Sequence, residues 1–294
     1  MKLKHIESCL SSLCREFPRP NITLEQYPTS ANLTACVVAT ALEYGDLGEG
    51  RTALDLGCGT GMLLMGCAIV ECDFVIGVDC DAEALVVARN NSQQSELDHV
   101  VDLILAKVTT SCRPVTTGAP KNPTKHGRGR GHGRSRPPAK QPPQPFILQA
   151  DSTLASTSTS TSGPAHSLTN DGIPLQDNCV DTVVTNPPFG TKHNAGIDIC
   201  FLRTATRLAR RAVYSFHKTS TRAYLIQTIE SWGYHVKVIA EMKFDIPNMY
   251  AFHQKKSIDV DVDLIRISIQ KEEHENDEVD ETHTCWVYQI SFRQ

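Results

Sequence analysis

Residues 52–79 constrain the fold of this 294-residue chain more than any other stretch. Thr52-Ala53-Leu54-Asp55-Leu56 is a short apolar run, Gly57, Gly59 and Gly61 follow on alternate positions, and the apolar stretch 62–70 comes directly after them. Such a chain must run as a strand, turn tightly and enter a helix. A second apolar run, 74–78, then ends at Asp79, 22 residues beyond Gly57. Strand, glycine turn, helix and strand in that order make a parallel pair with its crossover, the unit of an α/β sheet. The glycines permit the turn and let backbone approach a ligand with no Cβ in the way, which nominates Gly57 and Gly59 as ligand contacts. An acid at the offset of Asp79, on a second strand end, is placed to accept hydrogen bonds from ribose hydroxyls. Asp55, just before the glycines, would repel a pyrophosphate but can pair with the ammonium of an amino-acid-bearing cofactor. That combination points to S-adenosylmethionine.

The second informative stretch is 180–190. Val180-Asp181-Thr182-Val183-Val184 reads as a short buried strand, and Thr185-Asn186-Pro187-Pro188-Phe189-Gly190 follows it. Prolines cannot donate to a sheet ladder and push the preceding residue to extended geometry, so the chain leaves the sheet stiffly. Asn186 and the Pro187 carbonyl then face outward, with the Phe189 ring on the turn beside them. An amide, a carbonyl and an aromatic face at one strand end suit a planar group that carries an exocyclic NH2.

Around these motifs the rest of the chain can be read in order. The spacing of Leu3, Ile6, Leu10 and Leu13 predicts an amphipathic helix over 2–15, which Pro18 and Pro20 break. Thr29 or Ser30 is placed to cap a helix over 31–44, and Asp81 one over 81–96. Two runs compete for the third strand: 100–106, which ends in Lys107, and 146–150, which ends in Asp151-Ser152. A strand-end acid suits an adenine amino group where a lysine does not, so Asp151 is favoured as the contact. Residues 109–145 are rich in Gly, Pro, Arg and Lys and 152–170 in Ser and Thr, so disordered insertions are expected at about 108–145 and 153–177. Helices over 197–211 and 219–232 and strands over 212–216, 235–240 and 258–269 complete the pattern. The expected architecture is a doubly wound, seven-stranded Rossmann-like sheet with an antiparallel C-terminal strand pair, in a single domain over 1–270 with an acidic extension over 271–294.

Composition excludes several classes. The chain has no run of about 18 apolar residues and no apolar signal core at 1–7, so no membrane partner and no export are expected. Eleven scattered cysteines with no C-x-x-C pair give neither a disulfide framework nor a metal site, and reduced thiols fit a cytosolic or nuclear setting. The net charge of -4 conceals seven Lys/Arg in 121–140 and seven acids in 271–281. Such runs read as solvated tails, the basic one adding nonspecific attraction for phosphates.

With these residues in hand, the chain resembles the class I S-adenosylmethionine-dependent methyltransferases, through 55–61 (Asp-Leu-Gly-Cys-Gly-Thr-Gly) and the amino-methylating signature 186–189 (Asn-Pro-Pro-Phe). Within that class, 24–29 (Leu-Glu-Gln-Tyr-Pro-Thr), 186–192, 214–222 and 255–266 resemble the methyltransferase-like protein five family, the N6-adenine methyltransferases of 18S ribosomal RNA. The resemblance covers residues 1 to about 107 and about 177 to 269. It implies methylation of one adenosine of small-subunit rRNA, in the nucleus (nucleolus) and cytoplasm. It also implies a heterodimer with the small zinc-binding activator subunit that several methyltransferases share. Carried over residue by residue, it implies cofactor contacts at Gln26, Thr29, Gly57, Thr60, Met62 and Asp79, and at a third-strand acid read as Asp151-Ser152.

The chemistry can also be argued directly. The N6 amine of adenine is a poor nucleophile because its lone pair is delocalised into the ring. If Asn186 Oδ1 and the Pro187 carbonyl both accept its hydrogens, the nitrogen moves toward tetrahedral geometry and its lone pair turns to the methyl donor. Pro188 stiffens the turn, and Phe189 stacks on the extruded base. Lys192, Lys218, Arg222, Lys255 and Lys256 are candidates to hold RNA phosphates. Two other readings compete: methylation of a glutamine amide in a protein, and a noncatalytic RNA-binding scaffold.

Overall fold

The computed structural model describes residues 1–109, 171–190, 194–247 and 257–269. All the elements below belong to the compact unit formed by Met1–Arg113 and Leu168–Gln294. In chain order they are α1 (Leu3–Ser11), α2 (Ala31–Glu43), β1 (Thr52–Leu56), α3 (Met62–Ile69), β2 (Phe74–Asp79), α4 (Ala82–Gln94) and β3 (Val101–Leu105). Beyond residues 110–170 come β4 (Val180–Thr185), α5 (Ile197–Leu208), β5 (Ala209–Lys218), α6 (Arg222–Ser231), β6 (His235–Pro247) and β7 (Ser257–Ser268).

The seven strands form one sheet in the order β3-β2-β1-β4-β5-β7-β6. β3, β2, β1, β4 and β5 run parallel, whereas β7 is antiparallel to both β5 and β6. The doubly wound sheet with an antiparallel C-terminal pair expected from the sequence is therefore present. Alternation along β1 divides the core: Ala53 faces the layer of α1, α2 and α3, while Leu54 and Leu56 face the layer of α5 and α6. Ile6, Leu10, Val38, Leu64 and Met65 fill the first layer, and Leu202, Leu208, Leu225 and Ile229 the second; all are fully buried. Strand order reverses between β1 and β4. Ligands of open α/β sheets bind at such a switch point, beyond the carboxyl ends of the strands. Here Asp55 pairs in register with Val184, so the glycine turn after β1 and the Asn-Pro-Pro turn after β4 lie side by side.

Local signals set several boundaries. Ser30 Oγ accepts the Leu33 N–H at 3.2 Å and caps α2, and Asp81 Oδ1 accepts the Glu83 N–H at 2.9 Å and caps α4. The first helix stops at Ser11, short of the expected 15. The helix expected over 219–232 begins as a tight turn, Thr219–Thr221, and continues as α6.

Two expectations need correction. The strand beside β2 is β3, with Val75 opposite Val101 and Asp79 opposite Leu105. Lys107 therefore follows it toward the site, and 146–150, Asp151 and Ser152 lie outside the described residues. Residues 171–177, assigned to the second insertion, are in part packed: Asp171 and Ile173 are buried, and the Asp171 carbonyl accepts the Thr109 N–H at 2.8 Å. No helix among the described residues is long and apolar enough to cross a membrane.

Candidate active site

A two-lobed cavity opens at the switch point. Its larger lobe, about 240 Å³, reaches Gln26, Asp79, Lys107, Val108 and Phe201, and its smaller lobe, about 30 Å³, reaches Thr29, Asp55, Thr60 and Met62. Gly57, Gly59 and Asn186 line both lobes, so Asn186 sits at their junction.

The glycine turn has the conformation that its residues allow. Gly57, Gly59 and Gly61 have φ of +78°, +52° and +88°, which side chains rarely adopt. A Cβ on Gly57 would lie 2.9 Å from Phe201 Cε1, and one on Gly59 would lie 2.8 Å from Phe17 Cζ. Two aromatic rings thus close on the turn, neither of which the sequence analysis had singled out. Phe17 belongs to the segment that leaves α1. That segment is held where Asn91 exchanges hydrogen bonds with Cys14, Nδ2 to the carbonyl at 2.7 Å and Oδ1 from the N–H at 3.0 Å. The Thr60 hydroxyl donates to the Arg15 carbonyl at 3.2 Å, so Thr60 also anchors this segment.

The two acids differ in what they hold. Asp55 is 1% exposed. Its Oδ2 accepts the Leu64 N–H at 2.8 Å, and its Oδ1 has no partner. Burial, opposed by the Leu64 N–H and reinforced by Asp79, raises its pKa to about 8. A buried carboxylate oxygen with no partner costs free energy unless a cation arrives to pair with it. This orphan at the small lobe fits the ammonium of an amino-acid-bearing cofactor. Asp79 accepts the Gly59 N–H through Oδ2 and the Asp81 N–H through Oδ1, each at 2.8 Å. Those bonds fix the carboxylate and leave a lone pair on each oxygen for a diol. Burial raises its pKa against the pull of the same N–H groups. Gln26 is engaged at both ends of its amide, donating to Asp81 at 2.7 Å and accepting the Asn21 N–H at 2.8 Å. It braces the wall of the large lobe.

The turn after β4 is positioned with equal care. Thr185 Oγ1 donates to the Leu56 carbonyl at 2.6 Å and ties β4 to the end of β1. Asn186 Nδ2 donates to Thr29 Oγ1 at 3.1 Å. The amide is thereby turned so that Oδ1, its acceptor, is not the atom that Thr29 holds. Pro187 is buried and Pro188 lines the large lobe. Phe189 packs partly against the core, and the Lys218 ammonium stands 5.7 Å from its ring centroid, within cation–π range.

The basic candidates separate. Lys218 adjoins the Asn-Pro-Pro-Phe turn. Arg222 is committed elsewhere: its Nε and Nη2 both donate to buried Asp263 at 2.7 Å, and Nη2 also reaches Glu241 at 2.8 Å. Lys192, Lys255 and Lys256 lie outside the described residues. No group of three or more His, Cys, Asp or Glu that could hold a metal occurs among the described residues.

Comparison with known proteins agrees with this geometry. A family model described as "Methyltransferase domain" matches residues 47–110, the span of β1 to β3 with the glycine turn and Asp79. The rRNA N(6)-adenosine-methyltransferase METTL5 of Danio rerio is 34% identical over 268 residues, covering 91% of this chain and 99% of that one. The rRNA N(6)-adenosine-methyltransferase Mettl5 of Drosophila melanogaster is 33% identical over 272 residues, covering 92% and 99%. The crystal structure of the Pyrococcus horikoshii protein PH1948 shares the fold, with a TM-score of 0.61, 23% identity, and coverage of 91% of this chain and 96% of that one. Near-complete coverage at a third identity, on a chain that sets a glycine turn beside Asn-Pro-Pro-Phe, places this protein in the METTL5 family of rRNA N(6)-adenosine-methyltransferases.

Proposed function

We propose that this chain methylates N6 of one adenosine in small-subunit (18S) ribosomal RNA, with S-adenosylmethionine as donor. The observation that carries the reading is the Asn186–Thr29 hydrogen bond at the junction of the two lobes. When bound, S-adenosylmethionine supplies an electrophilic methyl group. Asp55 pairs with the ammonium end, and Asp79 accepts from the ribose hydroxyls at the far side of the glycine turn. Asn186 then stands between them, where the reacting group must be.

Thr29 holds Asn186 Nδ2, so Oδ1 accepts one hydrogen of the adenine amine, and the Pro187 carbonyl accepts the other. The amine is drawn out of conjugation and its lone pair is directed along the line of transfer. Phe189 stacks on the extruded base, and Lys218, behind that ring, adds positive charge near the phosphates. Positioning of this kind accelerates transfer without an activated nucleophile on the enzyme. The proton leaves the product ammonium after transfer, when its acidity is high.

A small zinc-binding activator subunit is proposed as partner. What supports it is the sheet edge at β3, where Leu105 is 61% exposed and Val86 on neighbouring α4 is 59% exposed. Small-subunit RNA is met in the nucleolus and cytoplasm, where we place the protein.

Asn186→Ala tests the reading. It should abolish turnover while the affinity for S-adenosylhomocysteine stays within about threefold of wild type, and activity near wild type would refute the role. Transfer to a protein glutamine rather than to RNA would favour the alternative substrate.

A further inference from the structure

The groove changes character along its length. Asp55, with its unpartnered Oδ1, and Thr29 mark one end. Past Asp79 the wall consists of Val78, Ala106, Lys107, Val108 and Phe201, with Val78, Val108 and Phe201 buried. On the S-adenosylmethionine reading, on which this inference rests, that apolar slot takes the purine. Strand register sets Lys107 there: Leu105 lies opposite Asp79, and the Ala106 N–H donates to the Asp79 carbonyl at 2.9 Å. Its charge is felt within the site, since it opposes the rise that burial imposes on the Cys80 thiol.

Among the described residues, the other charged side chains of this lobe are Asp79 and Glu25. Asp79 is oriented by Gly59 and Asp81 toward the ribose position. Glu25, the remaining acid of the large lobe, exerts its charge on Tyr27 and Asp198. A lysine has three donors and no acceptor. The 6-amino group of adenine is itself only a donor, so Lys107 cannot pair with it and can pair only with a ring nitrogen.

We propose that Lys107 sets the base selectivity of the cofactor site, reading a ring nitrogen of the purine and leaving the 6-amino group unrecognised. The site therefore accepts a cofactor that lacks this amine. A carboxylate at position 107 would accept from the amine and restore the discrimination. A charge-assisted hydrogen bond of this kind carries roughly a 10- to 100-fold preference.

The test is calorimetric binding of S-adenosylhomocysteine and of its 6-deamino analogue to the full chain. Wild type should bind the two within about threefold. Lys107→Asp should prefer the amino form by about tenfold or more, and Lys107→Met, which loses the ring-nitrogen bond, should weaken both ligands alike by about tenfold and keep the wild-type ratio. Lys107 is exposed, so the variants should fold. A wild-type preference for the amino form of about tenfold or more overturns the proposal, as does an unchanged ratio in Lys107→Asp. Binding of neither ligand by the wild type overturns the cofactor reading beneath it.

Discussion

Thr29 and Asn186, 157 positions apart, meet through one hydrogen bond of 3.1 Å from the Asn186 amide to the Thr29 hydroxyl. The segment ahead of α2 thus orients the residue proposed to hold the substrate amine. Thr29, expected to touch the cofactor, lines the small lobe, and its hydroxyl is also placed to set the rotation of Asn186.

Thr29→Val removes that hydroxyl at nearly constant volume. kcat should fall about 10- to 100-fold, the value of one lost orienting bond, while the Kd for S-adenosylhomocysteine moves by less than about threefold. Steady-state kinetics with parallel calorimetry check this. Equal losses in binding and turnover would return Thr29 to the cofactor.

Asp55 should couple stability to pH. Its pKa rises from 3.8 to about 8 in the folded chain, so between those values the native state holds a proton that the unfolded state has lost. Stability therefore falls as pH rises through that window, by up to about 1.4 kcal/mol per pH unit from this group. Asp55→Asn keeps an acceptor for Leu64 without the charge. It should flatten that part of the profile, raise Tm at pH 8 and weaken cofactor binding. Urea denaturation of the two proteins at pH 5 to 8 reads the difference.

Lys218 supports the Phe189 ring from one side. Lys218→Met should lower kcat/KM for RNA about three- to tenfold and flatten its salt dependence, with cofactor affinity unchanged, whereas Lys218→Arg retains most of the function. An effect on cofactor binding would contradict this placement.

Arg222 compensates the charge of Asp263, which is 1% exposed. Arg222→Ala should destabilise the fold by about 2 kcal/mol and lower Tm, with little change in KM for RNA from the folded fraction. A raised KM at unchanged Tm would make it an RNA contact after all.

What could be read from the sequence was whatever local chemistry encodes. The strand, glycine turn and acids of 52–79 needed no partner to be recognised, and neither did the Asn-Pro-Pro-Phe exit. The missed features are long-range. Nothing near Phe17 announces that its ring closes on Gly59, although Pro18 and Pro20 did mark a stiff segment. Arg222 read as a phosphate ligand because Asp263, 41 positions away, gives no local sign of reaching it. The third strand was ambiguous for the same reason. Both 100–106 and 146–150 have strand character, and only pairing with β2 distinguishes them.

The most direct measurement of the central claim is transfer of labelled methyl from S-adenosylmethionine to total RNA, followed by nucleoside analysis. It is made with wild type and Asn186→Ala, each with and without the small zinc-binding subunit. The account predicts label in N6-methyladenosine of the small-subunit rRNA, mainly when the subunit is present, and none from Asn186→Ala. No label in RNA from a folded, cofactor-binding heterodimer, or label confined to protein, would contradict it.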